Sequence, residues 1–131
     1  MSWRSILPAA GFALAVLTAA PALAANPPGD RCIYAREWQD WKSPAPNVIL
    51  IKVGVHDIYR LDLRDGGSNQ LQYSDVHLVN RRQTSAWLCQ PSDFDLLLSD
   101  DYGAFSEPLF VSAVTKLTPD EVAAIPAKYR P

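Results

Sequence analysis

From Asn47 to Leu117 the chain is a succession of short β-type runs separated by turn signals, with no helical stretch between them. "NVILIKV" (47–53) is β-branched and almost wholly apolar, which suits a central strand. "GVHD" follows as a turn. "DIYRLDLR" (57–64) alternates, with Tyr59, Leu61 and Leu63 on one face and Arg60, Asp62 and Arg64 on the other, as in a half-buried strand. "DGGSN" (65–69) is a turn. "DVHLV" (75–79) alternates again, with Val76 and Leu78 inward and His77 outward. "SAWLC" (85–89) is a short strand ending at Cys89, and "DFDLLLS" (93–99) puts Phe94, Leu96 and Leu98 on one side. "DDYGAFSEP" (100–108) reads as a loop and "LFVSAVTKL" (109–117) as the last strand. A parallel sheet needs crossover helices, and the spacing leaves no room for them. The expected fold class is mainly β: a small antiparallel barrel or sandwich. Alternation gives faces and not neighbours, so strand order and the choice between barrel and sandwich stay open at this stage.

Helix is expected only towards the ends. Tyr34, Trp38 and Trp41 fall at i, i+4 and i+7, the spacing of one face of a short N-terminal helical turn. Ser43-Pro44-Ala45-Pro46 would end it, because proline disfavours helix in the residue before it. In "LTPDEVAAIP" (117–126), Thr118 is an N-cap, Pro119 sits at N1, and Glu121 at N3 completes a capping box. Val122 and Ile125 can dock on the body of the domain, and Pro126 stops the helix.

The first residues read as a secretory signal peptide, residues 1–24. Arg4 supplies the positive charge and Ile6 to Leu17 the apolar run. Ala22-Leu23-Ala24 forms the cleavage site before Ala25, and the apolar run is short for a membrane span. An uncleaved anchor is the competing reading. Residues 25–31 read as a flexible leader and 32–131 as a single small β-rich domain. Cleavage removes one basic residue and no acidic one, so the exported part is more acidic than the whole chain, whose formal charge is −2. Arg81-Arg82 is the only basic doublet, and between Gln83 and Thr115 the charged residues are all acidic. This disfavours nucleic acid and anionic lipid as partners. The expected location is the periplasm or the medium, with no stable membrane anchor after cleavage.

Cys32 can carry a lipid, act as a nucleophile, or form half of a disulfide. A lipid-bearing cysteine sits at the cleavage site after a small residue, whereas Cys32 follows Gly29-Asp30-Arg31. A catalytic thiolate needs a base and an electropositive niche, and neither is visible. Two cysteines in an exported chain usually pair, so Cys32–Cys89 is the expected disulfide.

The chain resembles a family of small exported proteobacterial proteins whose function is uncharacterised. The residues that carry this are Cys32-Ile33, then Trp38 and Trp41, the run from Tyr59 to Leu63, and Cys89 shortly before Asp93 and Asp95. Phe110-Val111 and Leu117-Thr118-Pro119-Asp120-Glu121 complete the pattern. The resemblance covers roughly 32–125. It implies two further cysteine positions, one near Ser68 in the "GGSNQL" turn and one at Leu109, and neither is a cysteine here. Their joint absence is what loss of one disulfide would leave, with Cys32–Cys89 as the remaining pair. It implies no activity.

Each candidate for chemistry has a plainer reading beside it. Asp93, Asp95, Asp100 and Asp101 are weak candidates for Ca²⁺, but the spacing is not that of an EF-hand loop, and a strand with Asp93 and Asp95 on its solvated face explains them. His56 and His77, with Asp57 and Asp75, offer a Zn²⁺ site in principle, while surface positions explain both histidines. No cofactor is expected, since there is no Gly-x-Ser-x-Gly, no His-Glu-x-x-His, no phosphate loop and no dinucleotide fingerprint. Tyr34, Trp38 and Trp41 can stack on sugars or peptides if exposed, or they can be core. The expected function is a non-catalytic binding or interaction module of the envelope, with an envelope protein or a small ligand as partner. A small hydrolase using carboxylates around 93–101 and a purely structural or stress-related protein are the alternatives.

Overall fold

The computed structural model describes residues 32–82 and 87–131. The signal segment, the leader, and residues 83–86, which include the start of the "SAWLC" run, lie outside the described residues. Among the described residues, nine strands and one α-helix run in this order: β1 (Ile33–Tyr34), β2 (Trp38–Ala45), β3 (Val48–Val53), β4 (Asp57–Leu63), β5 (Val76–Asn80), β6 (Trp87–Leu88), β7 (Leu96–Asp100), β8 (Ser106–Leu109), β9 (Val111–Lys116) and α1 (Pro119–Ala124). Every strand pairing is antiparallel. The strands form a four-stranded sheet in the order β2-β3-β4-β9, a three-stranded sheet β5-β7-β8, and a two-stranded ribbon β1-β6. Among the described residues, no closed barrel forms. Instead the two larger sheets share one core, as in a sandwich.

The alternation read from sequence sets this core. Ile49, Ile51 and Val53 of β3 and Tyr59, Leu61 and Leu63 of β4 meet Val76, Leu78, Phe94, Leu96, Leu98 and Leu109 from the other side. β3 is central and apolar on both faces. Its outward residues Val48 and Leu50, with Ile58 of β4, are covered by Leu117, Val122 and Ile125. The capping box is formed: the Thr118 N–H donates to Glu121 Oε2 at 2.7 Å and the Glu121 N–H to Thr118 Oγ1 at 3.3 Å. The helix ends before Pro126, so α1 is a third layer laid on the outer face of the four-stranded sheet.

Three expectations are corrected. Tyr34, Trp38 and Trp41 do not share a helix face. Tyr34 lies in β1, a single 3₁₀ turn follows at Ala35–Glu37, and both tryptophans are in β2. On a regular strand, residues three apart face opposite ways. A register shift between Trp38 and Asp40 inserts the extra residue that returns Trp41 to the side of Trp38. β2 also runs through Pro44, which is tolerated because β2 is an edge strand and its register shifts between Lys42 and Ala45.

The expected last strand is in fact two. Leu109 pairs with Leu96 in one sheet, Val111 pairs with Leu63 in the other, and exposed Phe110 is the corner between them. Its carbonyl accepts the Arg64 N–H at 2.8 Å. Part of the expected 100–108 loop is therefore β8. Finally, Asp93 and Asp95 do not share a strand face, because Asp93 closes a 3₁₀ turn at Pro91–Asp93 and β7 begins at Leu96.

Candidate functional site

Cys32 and Cys89 form a disulfide spanning 57 residues of sequence. Directly inside it, Ile33 pairs with Leu88 and Tyr34 with Trp87. Ile33 and Leu88 are fully buried and anchor the ribbon in the core. Alternation then sends the next pair outward. The Tyr34 and Trp87 rings lie 5.0 Å apart, tilted by 45°, and Trp87 remains 52% exposed. A tilted pair at this separation is an attractive aromatic geometry. The ribbon thus presents an aromatic surface whose base is fixed by a covalent bond and two buried side chains.

Trp38 and Trp41 belong to a different environment. Both are half-buried and packed against the main core. Of the three aromatics singled out from sequence, the structure brings Tyr34 to an exposed partner, Trp87, and uses the tryptophans of β2 as packing. Sequence reasoning missed Trp87 as a site residue. The signal was available: if Cys32 and Cys89 face one another across an antiparallel pair, Tyr34 and Trp87, each two residues inward, must also be partners.

The acidic group is not gathered into one site. Asp93 accepts the backbone N–H groups of Cys89 and Gln90, each at 2.9 Å. Asp95 pairs with Arg81 at 2.6 Å, Asp100 accepts the Phe105 N–H at 3.3 Å, and Asp101 pairs with His77. His56 lies exposed in the β3–β4 turn. Among the described residues, no three histidine, cysteine or acidic side chains stand together as a metal would require.

The backbone N–H groups of Cys89 and Gln90 hold the Asp93 carboxyl below its ordinary pKa of 3.8, with Arg82 adding to the effect. A carboxyl whose pKa is depressed by folding stabilises the fold above its unfolded pKa, and that stabilisation disappears as pH falls through the folded value. Asp93→Ala should therefore cost about 1 kcal/mol near neutral pH, the usual size of a lost cap. In urea unfolding, its difference from the wild type should shrink as pH is lowered past 3.8. A constant difference across that range would mean that the ionised carboxylate contributes nothing.

An open concavity of about 330 Å³ lies between α1 and the outer face of β3 and β4, with Val48, Leu50, Leu117 and Ile125 among its lining residues. Among the described residues, no helix is long and apolar enough to cross a membrane. Compared with protein-family models, with curated proteins and with solved structures, the chain matches none of them.

Proposed function

We propose that the protein is a non-catalytic binding or interaction module of the envelope and that the Tyr34–Trp87 pair is its contact surface. The observation that carries this is a half-exposed tryptophan in tilted contact with a tyrosine and fixed beside a disulfide. Exposed aromatics on a rigid base supply contact area at little entropic cost, which is why binding surfaces favour them. The bridge supports an oxidising compartment and, with it, export. The carboxylates of 93–101 give less support to hydrolysis, since each is committed to a separate partner.

The test is a binding screen against short oligosaccharides and peptides, read from the indole N–H resonance of Trp87. Trp87→Ala should weaken any interaction so found by about tenfold, the loss of a single well-packed aromatic contact. Trp38→Ala serves as the comparison, because its side chain packs inward. If Trp87→Ala and Tyr34→Ala both retain every wild-type interaction, the aromatic surface is not the contact.

A further inference from the structure

Among the described residues, the two larger sheets end on β2 and β9 in one case and on β5 and β8 in the other. An edge strand offers a row of unpaired backbone N–H and C=O groups, and chains that stay apart blunt it with proline, bulges or charge. Three of these edges are blunted. β2 contains Pro44 and shifts register twice against β3. β9 skips Ser112 in its register with β4. β8 contains Pro108. β5, "VHLVN", has no proline, no lysine, no acidic residue and an unbroken register with β7.

The ladder fixes which backbone groups of β5 are free. The Arg81 N–H donates to the Asp95 carbonyl at 2.8 Å, one step beyond Asn80, and the Asp101 N–H to the Asp75 carbonyl at 3.4 Å at the other end. In an antiparallel pair, residues that bond to the neighbour alternate with residues that turn their N–H and C=O away. Asp75, His77, Val79 and Arg81 therefore bond to β7, and Val76, Leu78 and Asn80 turn their backbone groups to the open side. The side chains of Val76 and Leu78 stay in the core, while His77 and Val79, the latter 46% exposed, flank the edge on the outer face.

We propose that β5 pairs antiparallel with β5 of a second copy of the chain, joining the two three-stranded sheets across a twofold axis at Leu78. This register uses the whole strand. Leu78 stands opposite the partner's Leu78 and Val76 opposite the partner's Asn80, each pair exchanging two backbone hydrogen bonds. It also sets Asp75 opposite the partner's Arg81 on both sides of the axis, in the closer kind of antiparallel pair. A parallel pairing in register would set Asp75 beside the partner's Asp75. The other charged groups at this edge have partners within their own chain: Asp95 with Arg81, Asp101 with His77, Asp100 with the Phe105 N–H and Arg82 with the Ser92 carbonyl. Arg81 then lies between Asp95 and the partner's Asp75. The occupant is a second copy because the charge pattern of this edge is complementary to itself.

So short a seam belongs with weak, transient interfaces, with a Kd of about 0.1 mM. Sedimentation velocity of the whole protein from about 10 µM to about 1 mM should show a reversible monomer–dimer equilibrium. Hydrogen exchange followed by NMR should slow at the amides of Val76, Leu78 and Asn80 as concentration rises. Asp75→Lys and Arg81→Glu, both at exposed positions, should each weaken self-association about tenfold, because each sets like charges opposite one another. Mixing the two variants should restore most of the loss, since Lys at 75 then meets Glu at 81 and Arg81 meets Asp75. Protein that stays monomeric at the highest concentration overturns the proposal and leaves the edge to a strand of another protein. So does a dimer in which those amides exchange as in the monomer, a pair of single variants that associate like the wild type, or a mixture that restores nothing.

Discussion

Replacing both cysteines, as Cys32→Ser with Cys89→Ser, should lower the unfolding free energy by about 4 kcal/mol. The bridge closes a loop of 57 residues, and closing a loop of that length removes much of the freedom of the unfolded chain. Against a typical domain stability of about 5–15 kcal/mol, this is a large fraction. The local structure adds to the effect. The ribbon has only two residues per strand, and so short a pair does not persist on its own hydrogen bonds. What remains without the bridge is the burial of Ile33 and Leu88. Urea unfolding of the oxidised wild type and of the double variant measures the difference. The tryptophan spectrum should report loss of the Tyr34–Trp87 contact in the same variant. A change below about 1 kcal/mol would mean that the two buried side chains hold the ribbon unaided.

The same ribbon shows where the sequence was legible. The pairing of the cysteines followed from their number and from the export expected of a chain that begins as this one does. The consequence for Tyr34 and Trp87 needed one further step, the antiparallel register that the bridge imposes. The strands were legible wherever one face is polar. Tyr59, Leu61 and Leu63 alternate with Arg60 and Asp62, and they point inward as the pattern requires. α1 was legible because its start is encoded locally, in Thr118, Pro119 and Glu121.

The failures have a common cause, which is that tertiary pairing decided what local spacing left ambiguous. Trp38 and Trp41 carry a spacing that suits a helix, yet a bulge against β3 produces the same one-sided arrangement on a strand. Phe110 sits inside an unbroken β-type run, and only the presence of two sheets makes it a corner. Asp93 reads as a strand residue, but Pro91 pre-sets a turn that its carboxylate then closes. The concavity beside α1 was invisible because it depends on where α1 comes to rest on Val48 and Leu50. Ser68 and Leu109 are both buried, and Ser68 donates to Glu107 Oε2 at 2.6 Å, on the strand that contains Leu109.

The second large effect is expected at Gly67. Its φ of 69° and ψ of −137° lie in a region that residues with a Cβ rarely enter. Nor is there space for the added carbon. It would run into the Pro46 carbonyl oxygen and stand 2.8 Å from Asn47 Cα, and these are backbone atoms that cannot swing aside. The turn after β4 is seated directly on the turn between β2 and β3, where the Ser68 N–H donates to the Pro46 carbonyl at 2.9 Å. Gly67→Ala must push the two turns apart. That breaks this bond and disturbs the Ser68 hydroxyl, which holds Glu107. Strain and lost hydrogen bonding together should cost at least about 3 kcal/mol. Gly66 provides the control, since its φ of 79° is also positive but a Cβ there meets nothing within 4 Å. Gly66→Ala should cost only about 1–2 kcal/mol, the backbone strain alone. Urea midpoints for the two variants compare them directly. If Gly67→Ala unfolds no earlier than Gly66→Ala, the contact between the turns yields freely and does not fix how the start of the 69–72 turn meets the four-stranded sheet.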